Sequence, residues 1–195
     1  MLIETLRPPY AARRNFFARG SGLALSATAF ALLAGNSRLA VAEAKPMADV
    51  NILNVALGLE HEAIAAYQLG AESGLLQKPV LDTAVLFQSH HKAHRDALLA
   101  TIEKLGGKPV AAKSNGDYAA ALGAGGLKSQ TDVLDLAARL ELGAANAYLG
   151  VIPSFAEKNL AKVAARLAAD ETMHWSLLAN ALGKPVPQAA LTFGA

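Results

Sequence analysis

Six residues have types and spacings suited to holding a metal ion. Glu60 and Glu141 each stand seven residues before a tyrosine, Tyr67 and Tyr148, and the two pairs lie 81 positions apart. Phe87, His91, His94 and Leu98 step by four, three and four; Leu167, Glu171, His174 and Leu178 repeat those steps 80 positions later. Carboxylate oxygens and imidazole nitrogens are donors that Fe, Zn, Mn, Cu and Ni accept. Buried without a partner, the same groups cost roughly several kcal/mol for each charge. A metal, mutual hydrogen bonds or altered protonation must therefore compensate them.

Other chemistries find no support. The chain has no Cys, which excludes disulfides, thiolate metal sites and cysteine nucleophiles. No Gly-rich phosphate loop follows a strand pattern, and no Ser/His/Asp set has a recognisable context.

Steps of three and four keep side chains on one face of a helix. Phe87 and Leu98 mark the apolar face of one helix, and His91 and His94 share it. Leu167 and Leu178 do the same for Glu171 and His174. Leu53, Leu57, Glu60, Ile64 and Tyr67 define a third face; Leu134, Ala137, Glu141, Ala144 and Tyr148 define a fourth. The spacing predicts helices over about 48–71, from Pro79 to 105, over about 129–151 and over about 155–182. Pro79 suits a first helical turn. Ser73-Gly74, Gly106-Gly107, Pro153-Ser154 and Gly183 punctuate them. Abundant Ala and few aromatic residues, 6% of the chain, favour helix over strand.

Both halves close alike, Leu105-Gly106-Gly107-Lys108-Pro109-Val110 against Leu182-Gly183-Lys184-Pro185-Val186. With the 80- and 81-residue offsets, this reads as one duplicated hairpin with pseudo-twofold symmetry. Short loops make each pair antiparallel. Residues 107–128, containing Gly, Pro, Ser and Asn, form a long connection, with Gly123 to Gly126 a flexible stretch of it. The expectation is an all-α four-helix bundle, two antiparallel hairpins joined by a long crossover.

Over roughly residues 48–183 the chain resembles the ferritin-like di-iron carboxylate proteins, including their rubrerythrin-type branch. Those proteins place a Glu on each of two helices and Glu-x-x-His on each of the other two. Here Glu60 and Glu141 match the first pair, and Glu171-Thr172-Met173-His174 is one full motif. The resemblance implies that Glu60 and His94 serve one metal, Glu141 and His174 the other, and that Glu171 bridges. It points to Fe, with Zn, Mn and Cu as alternatives. The chain departs at His91-Lys92-Ala93-His94, where His91 replaces the second bridging Glu. A neutral imidazole has one lone pair, whereas a carboxylate bridges with two oxygens.

Each residue also has a plainer reading. His94 and His174 would then be hydrogen-bonded core histidines, and Glu60 and Glu141 solvated by a rotation of their helices. His61, Glu62, Glu72 and Asp170 fall off the inward faces and read as surface, and His90 as a flank position. Tyr67 and Tyr148 read as packing residues, with a hydroxyl tethered to a ligand Glu across the pair, against the alternative of a redox role.

The first 44 residues read as an address. Arg13-Arg14-Asn15-Phe16-Phe17 precedes a short apolar run, Leu23 to Ala34, and Ala40-Val41-Ala42 and Ala42-Glu43-Ala44 are both A-x-A sites. That run is shorter than the about 20 residues a membrane span needs. The layout is that of a signal peptide of the twin-arginine type, against the alternative of an uncleaved anchor or an amphipathic helix. The expected domains are 1–44, the leader, and 45–195, the bundle, with the protein periplasmic or otherwise exported. Five Arg and two Glu give the leader +3, so of the chain's +2 the remainder carries −1. That near-neutral body gives no electrostatic case for nucleic acid and lacks the basic face of membrane-surface helices.

Two functions follow. In one, an exported metal-binding protein oxidises Fe(II), reduces peroxide or O₂, or sequesters metal. In the other, a non-catalytic structural or stress-related bundle has lost full metal occupancy. Whether the chain is an enzyme stays open. The partners expected are metal ions and a second copy as a homodimer, without a membrane span after cleavage.

Overall fold

The computed structural model describes residues 45–194, with side chains from Met47 onward; the expected leader lies outside them. Among the described residues the secondary structure is helical throughout. The helices are α1 (Lys45–Glu72), α2 (Lys78–Lys104), α3 (Asn115–Ala121), α4 (Gln130–Val151) and α5 (Lys158–Ala181).

Local chemistry sets the ends. Pro79 occupies the first turn of α2, where its missing N–H costs nothing. The Ser129 side chain caps α4 by accepting from the Asp132 N–H. The two hairpins end with the same device. Gly106 and Gly183 turn left-handed at φ +77° and +68°, a conformation in which a Cβ is strained. The next N–H then reaches back to the last turn, Gly107 to Ile102 and Lys184 to Ala179, at 2.9 Å each.

One boundary and the crossover differ from the periodicity. The last helix begins at Lys158 rather than Phe155, because Ile152–Ser154 form a 3₁₀ turn around Pro153. Asp49, buried near the start of α1, accepts from the Ala156 and Glu157 N–H groups and holds that entry in place. The crossover is not uniformly loop. It contains α3, capped by Ser114, and a 3₁₀ turn over Ala124–Gly126, part of the stretch expected to be flexible. Tyr118 of α3 is buried, and α3 packs on α1.

Helices α1 and α2 pack as one hairpin, α4 and α5 as the other, and α1 meets α4 between them. The result is a ferritin-like four-helix bundle of two antiparallel hairpins joined by a long crossover. Its core is split in two. One apolar cluster centres on Leu53, Leu57, Leu98, Ile102, Leu160 and Leu167; the other on Tyr67, Phe87, Leu134, Ala138 and Leu178. Leu57 is fully enclosed, so Leu57→Ala would cost about 2–5 kcal/mol by leaving a cavity. The six polar residues singled out above occupy the layer between the clusters, mid-length on their helices.

Candidate metal centre

Glu60 comes from α1, His91 and His94 from α2, Glu141 from α4, and Glu171 and His174 from α5. The structure brings all six together, and all are buried. The 4-3-4 steps explain this: Phe87, Leu98, Leu167 and Leu178 are buried with them, so packing the apolar residues draws the ionisable ones inward.

The donors form two overlapping sets, Glu60/His91/His94/Glu171 and His91/Glu141/Glu171/His174, each with ligand atoms within 4.8 Å of one another. Glu171 spans both. Its Oε1 lies 3.2 Å from His94 Nδ1, and its Oε2 lies 3.1 Å from His174 Nδ1. His91 also spans both, with Nδ1 2.8 Å from Glu60 Oε2 and Nε2 3.1 Å from Glu141 Oε1. The two residues are equivalents under the 80-residue offset and face one another, with His91 Nδ1 3.8 Å from Glu171 Oε1.

The pseudo-symmetry extends outward. Tyr67 donates its hydroxyl to Glu141, and Tyr148 donates to Glu60, so each tyrosine serves the other hairpin's carboxylate. His94 Nε2 donates to Asp170 at 3.1 Å, and His174 Nε2 is hydrogen-bonded to His90 Nδ1 at 2.9 Å. Asp170 and His90 read as surface and flank from the helical wheel; each instead holds the outer nitrogen of a buried histidine. The signal that could have found them was the duplication, since 80 positions beyond His90 lies Asp170. His61 and Glu62 are half-buried, His61 bonding the Val110 carbonyl, and Glu72 is exposed and paired with Gln68.

Burial and charge work against each other here. Burial alone would push His91 and His94 below the usual imidazole range. The carboxylates Glu141 and Glu60 reverse this for His91, which is raised to about 11. Glu171 and Glu60 do so for His94, raised to about 10. His174 is raised by Glu141 and Glu171 against the same opposition. Burial would raise Glu60 and Glu141, but bonds to the histidines hold both below the usual carboxylate range. Glu171 is raised, because burial outweighs its two histidine neighbours and Glu141 lies close by. Burial and the facing carboxylates drive Tyr67 and Tyr148 well above the ordinary phenol range, so both remain hydrogen-bond donors.

Among the described residues, two buried atoms of the cluster have no hydrogen-bond partner, His94 Nδ1 and Glu171 Oε1, although they lie 3.2 Å apart. Buried polar atoms are rarely left so. A cation between them would take both lone pairs, with Glu60 as a third donor. Three carboxylates and three imidazoles, with tyrosine, Asp170 and His90 orienting them from behind, fit a divalent transition metal.

No curated protein matches this sequence significantly. The crystal structure of a conserved hypothetical protein, rv2844, from Mycobacterium tuberculosis shares the fold, with a TM-score of 0.59 and 23% identity over 76% of this chain and 99% of that one. The family model for the ferritin-like domain matches residues 48–184. This chain belongs to the ferritin-like domain family.

Proposed function

We propose that this is an exported metal-binding protein of the di-iron carboxylate, rubrerythrin-type branch, holding iron or a similar divalent metal at mid-bundle. The observation that carries the reading is the unpartnered pair His94 Nδ1 and Glu171 Oε1, buried in a six-donor cluster. Glu60, His94 and Glu171 would hold the ion in one half; Glu141, His174 and Glu171 form the equivalent set in the other. Bound iron would supply one-electron chemistry towards O₂ or peroxide, or iron would itself be the cargo that is oxidised and sequestered. The chain's own residues orient the ligands, exclude bulk water through the two apolar clusters, and keep protons on the Tyr67 and Tyr148 hydroxyls. Residues 1–44 are the leader in this reading, supported by Arg13-Arg14 and the A-x-A sites, and the protein works outside the cytoplasm.

One observation favours the non-catalytic alternative. His91 bonds both Glu60 and Glu141, and three protonated histidines would balance three carboxylates without any metal. Elemental analysis of protein purified from its own compartment separates the readings, alongside Glu141→Ala and His174→Ala. A metal centre predicts bound metal in the native protein and less of it in both variants, with the fold retained by circular dichroism. Unchanged metal content in both, or none in the native protein, overturns the assignment.

A further inference from the structure

One end of the bundle contains a cavity of about 250 Å³, separate from the polar layer but in contact with it. Tyr67 and Phe87 form the part that touches the candidate centre: the Phe87 ring stacks on His174 with centroids 4.1 Å apart, while Tyr67 bonds Glu141. Leu134 of α4 lines one wall. Leu76, from the α1–α2 loop, and Leu127, from the crossover, also line it. Leu177 of α5 lines the cavity yet is half-exposed, which places the mouth at the seam between α5 and the start of α2.

The lining specifies what would enter. No charged side chain contributes to it, and its two polar side chains are already engaged. The Tyr67 hydroxyl is given to Glu141, and the Thr83 hydroxyl to the Pro79 carbonyl at 3.0 Å. No side-chain donor remains to orient a polar group, and a charged group would lose its hydration without replacement. Water is held poorly for the same reason. An apolar cavity of about 150 Å³ stays dry and takes up benzene. We propose that this cavity is a binding site for a small, neutral, apolar molecule, somewhat larger than benzene, seated against Tyr67 and Phe87 beside the candidate centre. The site does not depend on metal, and its test uses metal-free protein.

The probe is naphthalene, titrated into the full chain by isotope-edited NMR and calorimetry, with 2-naphthoate as the charged control. Saturable one-to-one binding is expected, with intermolecular NOEs from naphthalene to the methyl groups of Leu134 and Val80 and no matching site for 2-naphthoate. Ala137 lines the cavity, so Ala137→Phe should fill it and weaken naphthalene by at least about tenfold. If that variant fails to fold, the NOEs of the wild-type protein decide the matter. Absence of saturable binding overturns the proposal, and would follow if residues 1–44 or a second copy filled the space. NOEs to another surface, or equal binding of 2-naphthoate, overturn it too.

Discussion

Tyr148 donates its hydroxyl to Glu60 across the bundle, and among the described residues it is the sole side chain hydrogen-bonded to Glu60 Oε1. Its equivalent, Tyr67, donates to Glu141 Oε1, an oxygen that also receives His91 Nε2 at 3.1 Å. The pseudo-symmetric bonds therefore differ in how replaceable they are.

Removing the hydroxyl should reveal this. Tyr148→Phe leaves a buried carboxylate oxygen unpartnered and should destabilise the metal-free protein by about 1–3 kcal/mol. Tyr67→Phe leaves His91 in place and should cost less. Urea unfolding of the two variants checks the order; equal losses, or a larger one for Tyr67→Phe, would contradict it.

His91 sets the metal count. With the histidines in the neutral form that ligates a metal, Glu60, Glu141 and Glu171 supply −3, which one divalent ion brings to −1 and two bring to +1. The −1 state can be neutralised by a proton on a histidine that the ion leaves free, since the surrounding carboxylates raise both His91 and His174. The +1 state leaves excess positive charge in the core, with Glu171 the one carboxylate placed to bridge. The wild-type protein should hold one ion per chain, and His91→Glu, which restores the second Glu-x-x-His, should raise this to two. Metal analysis after equilibrium dialysis is the measurement. Two coupled ions in the unmodified protein would sink the prediction.

The metal-free protein should have a narrow pH optimum. His91 and His94 are raised from 6.5 to about 11 and about 10, so their stabilisation is complete below pH 6.5 and is lost as pH rises through those values. Glu60 and Glu141 are lowered from 4.5, so theirs is present above pH 4.5 and lost as pH falls. The melting temperature should therefore peak between these limits and decline towards pH 10. Metal competes for the same histidines and should bind more tightly as pH rises. A melting temperature that holds level or climbs from pH 6.5 to 10 without metal would contradict the histidine assignments.

Export should depend on the paired arginines. Replacing Arg13 and Arg14 by Lys is expected to block it, and mass analysis of exported wild-type protein should find a new N-terminus near Glu43 or Lys45. An intact Met1 on the exported protein would count against cleavage. Unaffected export of the double variant would point to another route.

The sequence by itself determined the helices, their pairing and which faces turn inward. Helical periodicity is local: Leu53, Leu57 and Glu60 share a face whatever surrounds the helix, and burying the leucines carries the glutamate in. The duplication was equally visible, because equal offsets need no coordinates. Contacts between helices were decided only by the tertiary structure, since they depend on helix rotation and distance, to which spacing along one helix is blind. Asp170 lies at the edge of its wheel, yet α5 approaches α2 closely enough for it to meet His94. His90 reaches His174 in the same way. The entry to α5 is held by a carboxylate 107 residues away in sequence, Asp49, which no local signal around Phe155 contains. The double role of His91 was also invisible. Its identity as a departure from the ferritin-like pattern could be read directly, but its span from Glu60 to Glu141 exists because four helices place two carboxylates on opposite sides of one imidazole ring.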